Sequence, residues 1–430
     1  MKNLFAHKIL LMACVLFWCS KQASAQFTLS AEVRPRAELR HGFKTVKAEK
    51  DDPAFFVEQR SRLSALYKRE KLGVKVTLQD VRVWGNTNQI YKSDPSLFNV
   101  YEAYGEYQLT PQLAIRVGRQ ELDYDNARFL GNLDWAQQGR SHDAARIKYA
   151  DSTGFAVHAG AGFNQSVASE PTKLFDTYYS GVDNYKTMQY LWVHKEWSLA
   201  KVSALFFNDG RQKADSTVAF RQTYGLAGEV NAGRVKLGSE LYFQGGKDVA
   251  GKTVRAYLAA AYATFTTKLT PVTLGVDYLS GTGRGESRNH AFNPLYGTNH
   301  AFYGLMDYFY VGSSHGQEGR TTGLVDVFLK TAFKLGQSSS LLAQFHHFKS
   351  PVTLVNPTEA TGTLSSRLGE EIDLVFNQNI SADFNLKLGY SQLYATNSLD
   401  ALKGKRGSGV NQWAWLMLTF KPVLFQQQAP

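Results

Sequence analysis

The sequence is poor in cysteine, in proline and in long apolar runs, and each shortage removes a class of protein. Its two cysteines, Cys14 and Cys19, both fall within the first 25 residues. Nothing after them can form a disulfide or supply a thiol, so disulfide scaffolds and cysteine chemistry are excluded even in an oxidising compartment. Only 11 of the 430 residues are proline, and there is no Pro-rich linker or low-complexity tract at which the chain would divide. The longest apolar run, ILLMACVLFWC, has 11 residues, well short of the roughly 20 that a membrane-spanning helix requires. Helical periodicity is also scarce outside the longer polar connectors.

What is present begins with a leader. MKNLFAHK is a basic start, the apolar run follows, and Ala23-Ser24-Ala25 is a small-residue cleavage site before Gln26. Residues 1–25 therefore read as a secretory signal peptide. Lipidation at Cys19 is disfavoured, because Phe17 and Trp18 before it are too bulky for such a site. Removing the leader takes Lys2, Lys8 and Lys21 and no acid, so the formal charge of +11 becomes +8. A basic balance invites a nucleic-acid reading. Against it, the cations are spread along the chain at alternate positions and not gathered in a patch or tail, so no nucleic-acid partner is expected.

Eighteen segments have strand length, many with period-two alternation: 26–40, 57–69, 72–85, 98–109, 112–121, 140–150, 153–164, 186–195, 197–208, 219–230, 233–245, 253–265, 270–280, 321–334, 339–350, 370–379, 382–395 and 411–420. Their connectors alternate short and long. Thr110-Pro111, Asp151-Ser152, Asn231-Ala232, Gly336-Gln337-Ser338 and Ser381 are tight turns. By contrast 41–56, 86–97, 122–139, 165–185, 209–218, 246–252, 281–320, 351–369 and 396–410 are long and polar. Short turns at one end and long loops at the other describe an all-β transmembrane antiparallel β-barrel over 26–420, with short periplasmic turns and long outer loops. In lipid every backbone polar group must be paired internally, so the sheet must close. The expected location is the bacterial outer membrane. The last strand, Trp413–Phe420, carries the aromatic end that barrel-insertion machinery reads, and residues 421–430 follow it as a tail. Trp84, Trp192, Trp197, Trp413 and Trp415 suit interfacial girdles.

Alternation also assigns the charges. In Ala31–Arg40 the odd positions suit lipid and the even ones water. Parity sends Arg34, Arg36, Arg40, Arg60, Arg62, Lys68, Lys75, Arg116, Arg146 and Lys148 to the lumen, and Arg82 too if a bulge near Gln79-Asp80 slips the phase. Inward acids on those strands are Glu32, Glu38, Glu58, Asp80, Glu102 and Glu106. Farther round lie Asp277, Asp326, Glu371 and Asp373, with Lys330 and Lys387 among them. One arc is thus basic and the other more acidic, and such walls set selectivity in pores. Pro35, with no amide proton, requires a bulge or the weaker pairing of a terminal strand.

Four stretches, VKVTLQDVRVWG (74–85), GRQELDYDNARFLGNLDWAQQGRSHDAARIKY (118–149), FNPLYGTNHAFYGLMDYFY (292–310) and GEEIDLVF (369–376), carry a resemblance to the alginate-export family of outer-membrane barrels. The resemblance implies an eighteen-stranded pore passing an anionic, alginate-like uronate polysaccharide or oligosaccharide outward by passive transport, with Arg116, Arg146 and Asp143 at or near its constriction. It also implies a periplasmic export partner. The family's founding exporter has a long periplasmic loop near its sixteenth strand that helps close the pore. Here that turn is a few residues around Ser381, so the same closing scheme is not expected. The longest outer loop, 281–320, is rich in Tyr and Phe and either folds inward as a plug, with HAFYGLMDYF as a helical turn or two, or packs on itself at the surface.

A porin for small anionic or polar solutes shares the fold and remains the alternative. An enzyme is not expected: His142, His158, His346, His347 and the scattered serines form no nucleophile–base–acid spacing. No metal constellation or cofactor motif is visible, and calcium in the acidic outer loops stays open. Lipid and lipopolysaccharide are the surroundings such a barrel implies.

Overall fold

A computed structural model describes residues 25–86, 98–164, 185–213, 215, 217–356, 362–404, 407 and 410–427. Residues 1–24 of the expected signal peptide lie outside the described residues. Eighteen antiparallel strands run β1 Ala25–His41, β2 Ala54–Arg69, β3 Leu72–Val83, β4 Asn99–Gln108, β5 Leu113–Gln120, β6 His142–Ala150, β7 Phe155–Phe163, β8 Thr187–Glu196 and β9 Ala200–Gln212. They continue with β10 Val218–Ala232, β11 Val235–Gly246, β12 Ala256–Thr266, β13 Pro271–Leu279, β14 Leu324–Lys334, β15 Ser339–Lys349, β16 Arg367–Asn379, β17 Phe384–Ala395 and β18 Val410–Phe420. Each pairs with its chain neighbours, and β18 pairs with β1 to close the barrel. At the end that holds the termini no turn exceeds four residues; at the other the loops reach from 280 to 323.

Alternation produces an inside-out burial pattern. On β6 the luminal Arg146 is 8% exposed and its neighbour Ile147 is 51% exposed. Apolar residues such as Leu226, Leu274 and Leu388 face outward and exposed, while Glu32, Arg34, Arg60, Asp277 and Asp373 are buried inside. In water this arrangement would be unfavourable. In a bilayer it removes charge from hydrocarbon, where a cation at mid-depth costs roughly 2–4 kcal/mol.

The closing seam carries two irregularities. The β1–β18 ladder has pairs at Val33 and Arg36 but none at Arg34 and Pro35, although β1 is paired to β2 without interruption. The missing amide of Pro35 thus falls on the seam, where a gap is tolerated. Residues Val423–Gln427, expected as tail, continue the wall by pairing with Phe27–Ser30 of β1.

The expected bulge is on a different strand. β3 runs in register with β2 throughout, and the shift lies in the β3–β4 ladder, where Thr77 faces Glu102 and Leu78 faces Val100. Tyr101 is the extra residue, so Tyr101 and Glu102 both turn inward and are buried. With no slip in β3, Arg82 keeps the outward parity of Leu78 and pairs with Asp80 on the same face at 2.6 Å; neither is luminal. The tryptophans need correcting too. Trp84 and Trp197 are exposed, whereas Trp192, Trp413 and Trp415 are buried on the luminal face and belong to no girdle.

Luminal aromatics also lie across neighbouring glycines. Gly160 faces Tyr190, Gly238 faces Tyr262, Gly275 faces Phe328 and Gly389 faces Trp415 as direct cross-strand pairs. A Cβ built on Gly238, Gly275 or Gly389 would meet the ring at 2.1 Å. The ring covers backbone that glycine leaves bare. Gly238→Val and Gly389→Val should each destabilise the barrel by about 1–3 kcal/mol. The check is the temperature at which the folded barrel's fast gel mobility is lost; an unchanged temperature would show that the rings are not packed on these glycines.

Candidate functional site

The lumen is crossed by two outer loops that meet inside it. The third outer loop, residues 121–141, was expected only as a connector, yet it enters the barrel and spans it. Its Asp134 accepts from Arg60 at 2.9 Å and Arg34 at 3.3 Å, with Arg62 at 3.8 Å. Six residues earlier, Arg128 donates to both oxygens of Asp277 at 2.7 and 2.9 Å and to Glu240 at 3.2 Å. One short stretch of chain therefore places an anion on the basic arc and a cation on the acidic arc. Arg128 is 4% exposed. Sequence reasoning did not single it out, although a row of inward carboxylates required a cation from somewhere.

The seventh loop, residues 280–323, also folds inward, as one of its two expected alternatives held. Phe292, Tyr303, Met306, Tyr308 and Phe309 are all buried. Its helical content is a single 3-10 turn, Asn299–Ala301. The loop is fastened to the wall by the Met306 amide donating to Glu371 at 2.8 Å, by the Tyr308 hydroxyl donating to the carbonyl of Gly42 at 2.6 Å, and by Lys403 donating to the Tyr308 carbonyl. Lys403 ends the short helix α1, Asn397–Lys403, in the ninth loop. Burial pushes its ammonium down to about 7.

The two loops join through backbone. Gly131 donates to Tyr296 O at 2.9 Å, and Thr298 donates to Ala127 O at 2.8 Å. Gly297 permits the approach, since a Cβ there would sit 2.1 Å from Arg128 O. Of ten non-glycine residues with positive φ among the described residues, eight lie in these loops: Asp125, Ala127, Leu133, Leu295, Tyr303, Asp307, Tyr310 and Glu318. Such backbone costs about 1–3 kcal/mol per residue and persists only where the surroundings impose it.

Of the four acids on the acidic arc, two hold loop groups and two are matched within the wall. Asp277 holds Arg128, Glu371 holds the Met306 amide, Asp326 meets His346 at 2.9 Å and Asp373 accepts from Ser391 at 2.5 Å. The basic arc is less compensated. Arg36 lies against Glu38 and Glu58, and Arg60 pairs with Glu32 as well as Asp134. On β5 and β6, Arg116 and Lys148 share the single carboxylate of Glu106, at 2.6 and 2.9 Å. Arg146 stands directly across from Arg116, and its guanidinium donates to the Tyr124 hydroxyl at 3.3 Å. Asp143 is not part of this group. It takes the opposite parity to Arg146 and pairs with Arg119 at the exposed rim, at 3.2 Å.

The chain is similar in fold to solved outer-membrane proteins. Pseudomonas aeruginosa OccK1 (OpdK) superposes with a TM-score of 0.60 at 9% identity, over 93% of this chain and 98% of that one. OccK2 (OpdF) of the same species, solved in complex with glucuronate, gives 0.60 at 12% identity over 93% and 98%. A BenF-like porin from Pseudomonas fluorescens Pf-5 gives 0.60 at 12% over 93% and 99%. No curated protein sequence matches. The family model described as "Alginate export" matches residues 25–412.

The strut through the third loop has two consequences. Arg128→Met should strand two buried carboxylates, costing about 3–5 kcal/mol, and release the loop, seen as a lower heat-shift temperature and a larger single-channel conductance. The second concerns pH. Partial desolvation opposes ionisation of Asp134, whose side chain is 55% exposed, but the Arg60 and Arg34 guanidiniums outweigh it and hold the carboxyl below the usual aspartate range. A depressed carboxyl contributes stability that is complete above the unfolded value of about 3.9 and is lost as pH falls through the folded value. Conductance should therefore be flat from neutral pH down to that range and rise only below it; a rise near pH 6 would contradict this assignment.

Proposed function

Because the chain belongs to the alginate-export family of outer-membrane channels, we propose that it passes short anionic saccharides, uronates in particular, through a cation-rich lumen by passive transport. The supporting observation is that Arg116, Arg146 and Lys148 face the lumen on two adjacent strands with one carboxylate, Glu106, among them. A low-dielectric wall focuses the field of such an excess and raises the local concentration of anions. A uronate brings one carboxylate per sugar to such a wall. The glucuronate found in OccK2, a channel of similar fold, is a monosaccharide of this class.

The second reading, a porin for small anionic or polar solutes, is favoured by a separate feature. The third and seventh loops are bonded to each other inside the barrel, which narrows the passage and suits short cargo better than a long polymer.

The test is the reversal potential of single channels under a salt gradient, followed by addition of short uronate oligomers. Anion selectivity is expected, with the anion-to-cation permeability ratio falling roughly three- to tenfold in Arg116→Gln/Arg146→Gln. Uronates should interrupt the current. Steady current indifferent to uronates but still anion-selective would favour the small-solute porin.

A further inference from the structure

A cavity of about 990 Å³ lies at the outer end of the lumen. Its lining comes from the outer ends of strands and from outer loops, and the joined third and seventh loops form its floor. Its volume is at the upper end of the roughly 300–1,000 Å³ typical of ligand sites. Eight arginines and lysines line it against three carboxylates. Most of those cations have a carboxylate within or behind the lining: Arg36 and Arg40 pair with Glu38, Arg211 and Arg221 with Asp209, Arg119 with Asp143 and Arg320 with Glu318.

Arg140 differs from these. It sits where the two loops meet, its backbone amide donating to Asn132 O at 2.6 Å and its Nη1 to Gly297 O at 2.9 Å. Among the described residues no carboxylate lies within ion-pair distance of it. Burial lowers its guanidinium only to about 10, so it remains a cation at neutral pH. The rest of its planar fork is available to a carboxylate, the group that guanidinium geometry matches best. Other cavity residues carry single unpaired atoms. Gln137, His142, Tyr296 and Asn299 each carry a buried side-chain polar atom with no hydrogen bond. Native structures rarely leave such atoms unpaired unless a ligand or water completes them.

We propose that the outer cavity is a capture site for short uronate oligosaccharides, with Arg140 binding a sugar carboxylate. The proposal rests on the uronate reading above and adds a site to it. Filling the cavity raises the cargo's concentration at the outer mouth, and its hydroxyls meet amide and hydroxyl side chains around Arg140.

The experiment uses residues 25–430 of the chain and a uronate trisaccharide. Residues 25–430 contain no cysteine, so a single Lys50→Cys in the first outer loop, modified by a membrane-impermeant reagent, reports the orientation of each inserted channel. Association rates for current block are then measured with the trisaccharide on either side, and binding to the detergent-solubilised protein is measured by calorimetry. The expected result is block at least tenfold more frequent from the outer side. Arg140→Gln should reduce both that rate and the calorimetric affinity about tenfold, and Arg140→Lys should recover much of each. Block that is equal from both sides, or more frequent from the periplasmic side, overturns the capture site but leaves the uronate channel standing. Calorimetric binding unaffected by Arg140→Gln also overturns it. No binding and no block would remove both readings together. If no current flows, calorimetry of the parent and the two variants decides.

Discussion

The interior depends on one charged strut. Arg128 and Asp134, six residues apart on the third loop, reach opposite arcs of the barrel, the first to Asp277 and Glu240, the second to Arg34 and Arg60. Neither arc is tolerable alone. A row of buried carboxylates repels itself, and a row of buried arginines does the same. Placing one loop charge of each sign between them relieves part of both with a single piece of chain. The seventh loop then has a partner to lie against, and the cavity above acquires a floor. Removing either end of the strut leaves an uncompensated charge in a low-dielectric interior, a larger penalty than the loss of a surface pair.

The wall supplies the conditions for that strut. An inside-out barrel buries polar groups by necessity, because its apolar side chains are committed to lipid. Buried polar groups must then be matched individually. Some are matched within the wall, as in the Trp413 indole donating to Glu38 at 2.9 Å and Arg62 lying 3.6 Å from the centre of the Tyr101 ring. Others are matched only by the loops. The surplus that remains is cationic, on β5 and β6 and around the outer cavity, and on this surplus the functional reading is built. The family and the similar solved structures establish an outer-membrane channel; the surplus is what argues for anionic cargo.

Much of the wall was legible in the chain. Period-two alternation and the sorting of short turns from long loops yield eighteen strands, their order and the luminal side of Arg34, Arg36, Arg60, Arg62, Arg116, Arg146, Lys148 and the four acids Asp277, Asp326, Glu371 and Asp373. These rest on a local rule, that successive side chains point to opposite faces. Errors occurred where a local rule needs a neighbour's register. Arg82 was placed inside on the assumption of a bulge in β3, but the bulge is in β4 at Tyr101, and only pairing reveals which strand carries the extra residue. Trp413 and Trp415 look like girdle residues by composition, yet their parity sends them inward onto Glu38, Phe43 and Trp135. Asp143 shares a motif with Arg146 but not a face.

The sequence by itself determined the class of molecule, its closure and the charge carried by each face, because hydrocarbon on one side and water on the other impose a two-residue period that any reader can follow. Tertiary structure alone decided where those charges find partners. Arg128 meets Asp277 across 149 residues of chain, and Arg140, where two distant loops meet, has no carboxylate within ion-pair distance among the described residues. Irregular loops have no period, so their course depends on which wall charges lie within reach, and that is known only once the barrel has closed.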